Sequence, residues 1–260
     1  MSSHEGYFVW YELMTDDTAA AKAFYGDVVG WRTTDTTDPG FTYTILSAGD
    51  GGVAGLMEMP EAPREAGAPP FWMGYIWADD VDAMVERVRA AGGLVHREPA
   101  DIPGVGRFAV LADPYGATFC LFKGLSADNG GSVSPATLMT PGHTGWHELM
   151  AGDLDGAFAF YSGLFGWEKG DAIDMGPMGM YQVFGKNGVM MGGMMKNPPE
   201  SPRPFWGYYF TVPEIVTAAD RVRKAGGSIM TEPMEVPGGA WIVHATDPQG
   251  AYFALVAPPA

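Results

Sequence analysis

Two glutamates are the side chains of this sequence best placed to do chemistry. Glu12 stands two residues after Trp10, and Glu148 stands two residues after Trp146, each within an apolar run. Side chains alternate between the two faces of a strand, so each tryptophan shares a face with its glutamate. A carboxylate buried among aromatic rings needs hydrogen bonds, and burial raises the pKa of such a group. It can then act as a general base or as the polar anchor for a ligand.

Cysteine and histidine are the other residue types that could react or bind a metal. Cys120 is the only cysteine, so an intrachain disulfide is excluded, and its apolar surroundings predict an inert buried thiol. His147 directly follows Trp146, and strand alternation therefore places it on the opposite face from Glu148. The remaining histidines lack partners at metal-binding spacing, and we expect surface or structural roles for His4, His96, His143 and His244.

Composition and charge exclude several classes of protein. The chain has 260 residues, and 31 acidic against 15 basic side chains give a formal net charge of -16, which repels a phosphate backbone. Nucleic acid is therefore not an expected partner. No apolar run approaches the roughly 18 residues that a membrane span needs, and the polar first residues favour the cytoplasm. The 17 methionines and 13% aromatic residues suit a pocket for a flat apolar molecule, and they equally suit a plain core.

The sequence repeats itself at a shift of 134 to 136 residues. We therefore predict two homologous domains, residues 1–125 and 143–260, joined by a linker over 126–142 that is rich in Gly, Ser, Pro and Thr. Matched pairs from the start, middle and end of each half are Trp10 and Trp146, Glu12 and Glu148, Tyr25 and Tyr161, Trp31 and Trp167, Trp72 and Trp206, and Asp113 and Asp247.

Each half predicts the same order of elements. A first helix starts at Asp16 or Asp17, with Asp153 in the copy, and ends at Gly30, since apolar residues recur at helical spacing between them. A second helix follows Asp79 and stops at the pair Gly92 and Gly93; its copy runs from near Pro213 to Gly226. Strands are predicted over 8–14, 41–47, 71–77, 108–112 and 117–122. The pattern predicts an α+β fold in which each half contains two βαβββ units.

This order of elements and motifs resembles the vicinal oxygen chelate superfamily. The motifs are Phe-Tyr followed by Gly-Trp after the first helix, Ala-Gly-Gly after the second helix, and Asp-Pro-x-Gly before the closing strand. The superfamily includes glyoxalase I, extradiol dioxygenases, fosfomycin-resistance enzymes and bleomycin-resistance proteins, and the resemblance covers nearly the whole chain as two tandem copies. It implies a curved sheet around a cleft in each domain, with the helices outside. It does not imply one activity.

The resemblance also implies a divalent metal, such as Zn, Ni, Mn or Fe(II), held by three side chains that are His or Glu. Carried across one at a time, the ligand positions fall on Trp10, Met73 and Cys120 in the first half and on Trp146, Gly207 and Ala254 in the second. None of the six is His, Glu or Asp. We therefore expect that the metal site is lost in both copies and that no metal cofactor is bound.

If these positions mark the cleft, strand alternation adds further lining residues. Tyr75 and Tyr209 would face the glutamates and are expected hydrogen-bond donors to them; Phe71, Met73 and Phe205 share the same face. The alternative is a structural Glu–Tyr pair that closes the sheets. A methionine-rich segment over 175–195 is either an adaptable wall for an apolar ligand or soft core packing.

These observations favour a metal-free protein that binds an aromatic or hydrophobic small molecule, similar to the bleomycin-resistance branch. The expected ligand contacts are Trp10, Phe71, Met73, Tyr75, Cys120, Trp146, Phe205 and Tyr209, with Glu12 and Glu148 as polar anchors or general bases. The alternative is a lyase, isomerase or dioxygenase that uses a relocated metal or one of these glutamates. A third possibility is a scaffold for partner proteins. A small molecule is the expected partner, and the chain is expected to be a monomer or a homodimer.

Overall fold

The structure is a computed structural model that describes residues 4–38, 41–125, 138–199, 201 and 203–259. The predicted linker, 126–142, lies outside the described residues except for 138–142. Within the described part of the chain, no helix has the length and apolar character needed to cross a membrane.

The first half follows the predicted order of elements, with one additional short helix. Its elements, in chain order, are β1 (Phe8–Thr15), α1 (Thr18–Val28), β2 (Arg32–Asp38), β3 (Phe41–Ala48), β4 (Gly51–Glu58), α2 (Glu61–Glu65), β5 (Phe71–Trp77), α3 (Val81–Ala90), β6 (Leu94–Ile102), β7 (Gly106–Ala112) and β8 (Thr118–Gly124).

The second half repeats this order without a counterpart of α2 among the described residues. Its elements are β9 (Thr144–Ala151), α4 (Leu154–Phe165), β10 (Glu168–Asp174), β11 (Met180–Lys186), β12 (Val189–Lys196), β13 (Phe205–Thr211), α5 (Ile215–Lys224), β14 (Ser228–Glu235), β15 (Trp241–Thr246) and β16 (Tyr252–Ala257). Each half forms an eight-stranded mixed sheet, in the orders β2-β3-β4-β1-β5-β8-β7-β6 and β10-β11-β12-β9-β13-β16-β15-β14. The predicted α+β fold of doubled βαβββ units is confirmed.

The helix starts agree with the sequence prediction to within one residue. The Asp17 carboxylate accepts a hydrogen bond from Ala20 N at 2.9 Å, and the equivalent Asp153 accepts one from Gly156 N at 2.7 Å. These bonds satisfy backbone donors that the first helical turn leaves unpaired. The start of α3 was predicted one residue early, because the capping side chain is Asp80 and not Asp79.

Strands β2, β4 and β6 of the first half were missed by the sequence prediction. Strands β2 and β6 are the two edges of their sheet. Many of their side chains are exposed on both faces, so the apolar alternation that signals a half-buried strand is absent. Strand β4 begins with two glycines and has a third at Gly55, which resembles a turn in sequence.

Packing divides the chain into two compact units, and each unit draws on both halves of the sequence. Packing unit 1 comprises Met1–Val9, Gly74–Pro135 and His147–Gly207; packing unit 2 comprises Trp10–Met73, Ala136–Trp146 and Tyr208–Ala260. Helix α3 packs beside α4 in unit 1, and α1 packs beside α5 in unit 2. The sequence repeat and the packing therefore divide the chain along different lines, and the domain boundaries at residues 125 and 143 stay predictions.

A buried tyrosine hydroxyl connects the two halves of the sequence in packing unit 2. Tyr25, on α1, accepts a hydrogen bond from Trp72 Nε1 at 2.9 Å and donates one to Asp247 Oδ2 at 3.2 Å. The other carboxylate oxygen of Asp247 accepts from the backbone N–H groups of Gln249 and Ala251, both at 2.9 Å. Burial raises the pKa of Tyr25 well above its usual value, so its hydroxyl stays protonated and remains a donor.

The same connection recurs in packing unit 1 with the roles of the halves exchanged. Trp206 Nε1 donates to the Tyr161 hydroxyl at 3.0 Å, and this hydroxyl lies 3.4 Å from Asp113 Oδ2. Asp113 Oδ1 accepts from Tyr115 N at 2.9 Å and from Ala117 N at 3.0 Å. The Phe-Tyr motif of each half is thus bonded to the Asp-Pro-x-Gly motif of the other half.

The Gly-Trp motifs make a second reciprocal connection. Trp31 Nε1 donates to Gly142 O, just before β9, and Trp167 Nε1 donates to Gly6 O, just before β1, both at 2.7 Å. Gly6 and Gly142 have φ values of 77° and 82°, a backbone region that side chains with a Cβ rarely adopt. Glycine at these two positions therefore allows the chain to present its carbonyl to the indole.

Replacing Tyr25 with Phe should lower the free energy of unfolding by about 1 to 3 kcal/mol, because a buried indole N–H and a buried carboxylate oxygen lose their partner. Tyr161→Phe should have a similar effect. Tyr7→Phe is the matched control, because that hydroxyl is only partly buried and lies 3.3 Å from the Lys186 carbonyl. Urea unfolding followed by circular dichroism measures all three. Equal stabilities of the Tyr25 and Tyr7 variants would contradict the assignment.

Candidate functional site

The candidate site of the first half is built around Glu12 on β1. Glu12 pairs with Gly55 of the parallel strand β4, and its side chain is buried, with 7% exposure. The side chain of Tyr43, on β3, covers Gly55, where a Cβ atom would overlap the tyrosine hydroxyl. The missing side chain at Gly55 therefore leaves room for Tyr43 to reach Glu12.

The hydroxyl of Tyr43 lies between Glu12 and Trp10. Trp10 Nε1 donates a hydrogen bond to this hydroxyl at 2.9 Å, and the hydroxyl is bonded to the Glu12 carboxylate. Burial, and then the charge of Glu12, raise the pKa of Tyr43 well above its usual value, so the phenol keeps its proton and donates a hydrogen bond to the carboxylate. We refer to these three residues as the Trp10–Tyr43–Glu12 chain. Both Trp10 and Tyr43 are half-buried, so part of each residue remains exposed.

The second half repeats part of this arrangement in packing unit 1. Glu148 pairs with Gly193 of the parallel strand β12 and is buried, with 5% exposure. The ring of Tyr181 covers Gly193 as Tyr43 covers Gly55. The sequence reasoning missed both tyrosines, although Tyr43 and Tyr181, like the two glycines, recur at a common shift of 138 residues.

The other predicted lining residues are mostly buried. Tyr75 and Cys120 lie side by side on the parallel strands β5 and β8, and Cys120 is fully buried, as expected, and forms no disulfide. Met73 is also buried, whereas Phe71 and Phe205 are half-buried. Their contact with a ligand stays a prediction.

Tyr209 has a polar neighbour that the sequence reasoning did not assign. Its hydroxyl lies 2.8 Å from Nε2 of His244, on β15. His244 was expected to have a surface or structural role; it is half-buried beside a predicted lining residue, and its role stays a prediction. The expected hydrogen bond from Tyr75 to a glutamate stays a prediction, whereas the Tyr209 hydroxyl is paired with His244.

His147 lies in the core of packing unit 1, as the alternation argument predicted. Its ring is fully buried and stacks on Phe8 with 4.2 Å between ring centroids. Nδ1 lies 2.7 Å from the Met191 carbonyl, and because a carbonyl only accepts, Nδ1 carries the hydrogen. Burial lowers the pKa of His147 to about 4. His147 is therefore a neutral core residue at pH 7 and has no place in the candidate site.

The methionine-rich segment divides between core and surface. Met191, Met194 and Met195, on β12, are buried, whereas Met178 and Met180 are exposed. Core packing thus accounts for three of these residues.

The residues at the six expected ligand positions do not fit a divalent metal. They supply two indoles, a thioether, a buried thiol, a glycine and an alanine, and no carboxylate or imidazole. Across the described ranges, no group of three or more His, Cys, Asp or Glu side chains lies close enough together to hold one ion.

The sequence of this protein is similar to one protein family and to several known proteins. A family model described as Glyoxalase/Bleomycin resistance protein/Dioxygenase superfamily matches residues 7–121 and again residues 140–255. The chain is 32% identical over 251 residues to "Putative glyoxylase CFP32" of Mycobacterium tuberculosis, covering 96% of this chain and 94% of that protein.

Two further comparisons concern a biosynthetic protein and a solved structure. The chain is 33% identical over 269 residues to "Anthracycline biosynthesis protein DauV" of a Streptomyces strain, covering 95% of this chain and 91% of that protein. The crystal structure of 2,2',3-trihydroxybiphenyl 1,2-dioxygenase from Sphingomonas wittichii superposes with a TM-score of 0.67 and 15% identity, covering 98% of this chain and 91% of that one. The structural likeness concerns the fold alone.

Gly55→Ala should break the Trp10–Tyr43–Glu12 chain, because the added methyl group would occupy the position of the Tyr43 hydroxyl. The indole N–H of Trp10 would then lose its acceptor, and its proton NMR resonance should move upfield. Gly51→Ala on the same strand is the matched control, because its added Cβ meets nothing within 4 Å. An unchanged Trp10 resonance in the Gly55 variant would show that Tyr43 is not its acceptor.

His147 should make the protein less stable in mild acid. Its pKa is lowered from 6.5 to about 4 in the folded state, so the unfolded chain binds the proton more tightly. The stability that depends on neutral His147 is complete above pH 6.5 and is lost as the pH falls towards 4. Between pH 7 and pH 4.5 this amounts to about 2 kcal/mol. His147→Phe keeps a ring against Phe8 and cannot titrate. Between pH 7 and pH 4.5, the free energy of unfolding of this variant should therefore decrease by about 2 kcal/mol less than that of the natural sequence. Equal pH dependence of both proteins, measured by urea unfolding, would refute the assignment.

Proposed function

The chain belongs to the Glyoxalase/Bleomycin resistance protein/Dioxygenase superfamily, and we propose that it binds a planar aromatic small molecule, without a metal, on the strand faces that carry Glu12 and Glu148. The Trp10–Tyr43–Glu12 chain is the observation that carries this proposal. It combines two half-buried aromatic residues with a buried carboxylate on one face of a sheet.

Each of the three residues of the Trp10–Tyr43–Glu12 chain has a role in binding. The rings of Trp10 and Tyr43 offer flat apolar surface on which an aromatic ligand can stack. The hydrogen bonds from Trp10 to Tyr43 and from Tyr43 to Glu12 fix both rings before the ligand arrives, which reduces the entropy lost on binding. A carboxylate has several acceptor lone pairs, so Glu12, which accepts from Tyr43, would also accept from a ligand hydroxyl or ammonium group.

The chemistry of the site favours a fused-ring ligand with a polar edge. Such a molecule would cover the indole and the phenol together while one hydroxyl or amino group reaches the carboxylate. The relative named as an anthracycline biosynthesis protein supports this class, because anthracyclines are fused planar ring systems. The absence of carboxylate and imidazole at the six expected ligand positions supports binding that does not depend on a metal.

A second candidate function is proton transfer, and the same hydrogen-bond chain favours it. A carboxylate that is buried beside a phenol donor can remove a proton from a carbon next to a carbonyl group. A lyase or isomerase of this kind would return the ligand chemically changed, whereas a binding protein would return it intact.

Isothermal titration calorimetry of the full chain with daunorubicin, an anthracycline, tests the proposal. Binding is expected in the presence of EDTA with the affinity seen in its absence. Glu12→Gln should weaken it about tenfold, since a charged hydrogen bond is worth about 1.5 kcal/mol or more. Glu61→Gln, an exposed glutamate of the same half, is the matched control.

Two results of this titration would reject metal-free binding. One is no measurable heat up to millimolar ligand, and the other is affinity that EDTA abolishes. Mass spectrometry of the recovered ligand separates the two candidate functions: a product formed by the natural sequence and not by Glu12→Gln would favour proton transfer.

A further inference from the structure

The second half contains a tyrosine–histidine pair at the position where the resemblance would place a metal-binding carboxylate. That position is Ala254, on β16. Tyr209, on β13, and His244, on β15, are the direct neighbours of Ala254 on either side. The Tyr209 hydroxyl lies 2.8 Å from His244 Nε2, so the two side chains meet across the alanine. We refer to them as the Tyr209–His244 pair.

The small side chain of Ala254 makes this pair sterically possible, because a larger residue would stand between the two rings. The corresponding row of the first half contains Tyr75, Cys120 and Val110, with the same register on three neighbouring strands. Valine has no hydrogen-bonding side chain. The imidazole is therefore a feature of the second half alone.

Apolar residues of packing unit 2 pack around Tyr209, the first member of the pair. Tyr209, Ala240, Ala254 and Val256 form a buried cluster, against which the partly buried side chains of Met139, Trp146, Val236 and Ile242 pack. His244 itself is half-buried. Burial lowers its pKa to about 4, so the ring is neutral at pH 7. A neutral imidazole next to this apolar cluster is a polar contact for an uncharged ligand.

The hydrogen bond with Tyr209 determines which nitrogen of His244 carries the hydrogen. A phenol is a stronger acid than a neutral imidazole N–H, and an imidazole nitrogen is a stronger base than a phenol oxygen. The stronger bond therefore runs from the tyrosine O–H to Nε2, which leaves the hydrogen on Nδ1. Among the residues that the structure describes, no group is hydrogen-bonded to this Nδ1.

We propose that the His244 Nδ1–H is the hydrogen-bond donor that the second half offers to its ligand, and that it selects an aromatic ligand carrying a carbonyl or quinone oxygen. Tyr209 is the positioning residue that fixes the tautomer and the ring. The inference rests on the proposed function, because it assigns a substrate class to one of the two halves. The first half, with valine at the equivalent position, does not share this preference.

Two probes of equal charge and ring outline test the selection. Anthraquinone-2-sulfonate has two carbonyl oxygens, and anthracene-2-sulfonate has none. In calorimetric titrations of the full chain, His244→Val should weaken one site for the anthraquinone probe about tenfold and change its affinity for the anthracene probe less than twofold. Tyr209→Phe should give an intermediate loss for the anthraquinone probe only, because the tautomer is no longer fixed. Val110→Ala in the equivalent row of the first half is the control and should not alter the discrimination.

A measurement on the unsubstituted protein keeps the test independent of how the variants fold. Two-bond ¹H–¹⁵N NMR spectra of the imidazole should show Nδ1 protonated and Nε2 unprotonated in His244. Addition of anthraquinone-2-sulfonate should shift the Nδ1 resonance, and addition of anthracene-2-sulfonate should leave it nearly unchanged.

The outcomes separate this inference from the proposed function. Equal binding of both probes, unaffected by His244→Val, would overturn the role of His244 and leave aromatic binding in place. A spectrum with the hydrogen on Nε2 would also overturn it. Failure of both probes and of daunorubicin to bind would reject the inference together with the proposed function.

Discussion

The buried hydroxyl of Tyr25, and its copy at Tyr161, is the interaction on which the rest of the structure depends. It accepts from an indole of its own half of the sequence and donates to an Asp-Pro-x-Gly turn of the other half. If either half were missing, a buried carboxylate and a buried tyrosine would each lose a partner, at a cost of about 1 to 3 kcal/mol per group. Each packing unit therefore needs segments from both repeats, and the two halves are expected to fold together.

These core contacts leave one face of the first strand of each half, β1 and β9, available for chemistry. Along β1, Tyr11 and Leu13 point to the opposite face from Trp10 and Glu12, and alternate residues can therefore serve packing and binding separately. The polar side chains that the two halves bond together differ in type and in strand. The first half has an indole, a phenol and a carboxylate bonded in series, whereas the second has a tyrosine bonded to a neutral histidine beside Ala254.

The candidate site could be predicted from the sequence only in part. The burial of Glu12 and Glu148 and the position of His147 in the core followed from strand alternation, which a sequence displays directly. Tyr43 was missed because it reaches Glu12 from a different strand, across a glycine whose only signal is the absence of a side chain. The contact between Tyr209 and His244 was not predicted because it depends on how β13 and β15 pair with β16, and β13 lies far from the other two strands in the chain.

The sequence by itself determined the repeat, the helices with their capping residues, the α+β class and the superfamily. These features depend on local periodicity and on motifs that are contiguous in the chain. The tertiary structure decided which half completes which packing unit, where the edge strands lie, and which side chains bond to Glu12 and Tyr209. Such choices depend on strand register and on the space left by Gly55 and Ala254, and neither quantity has a local signature in one sequence.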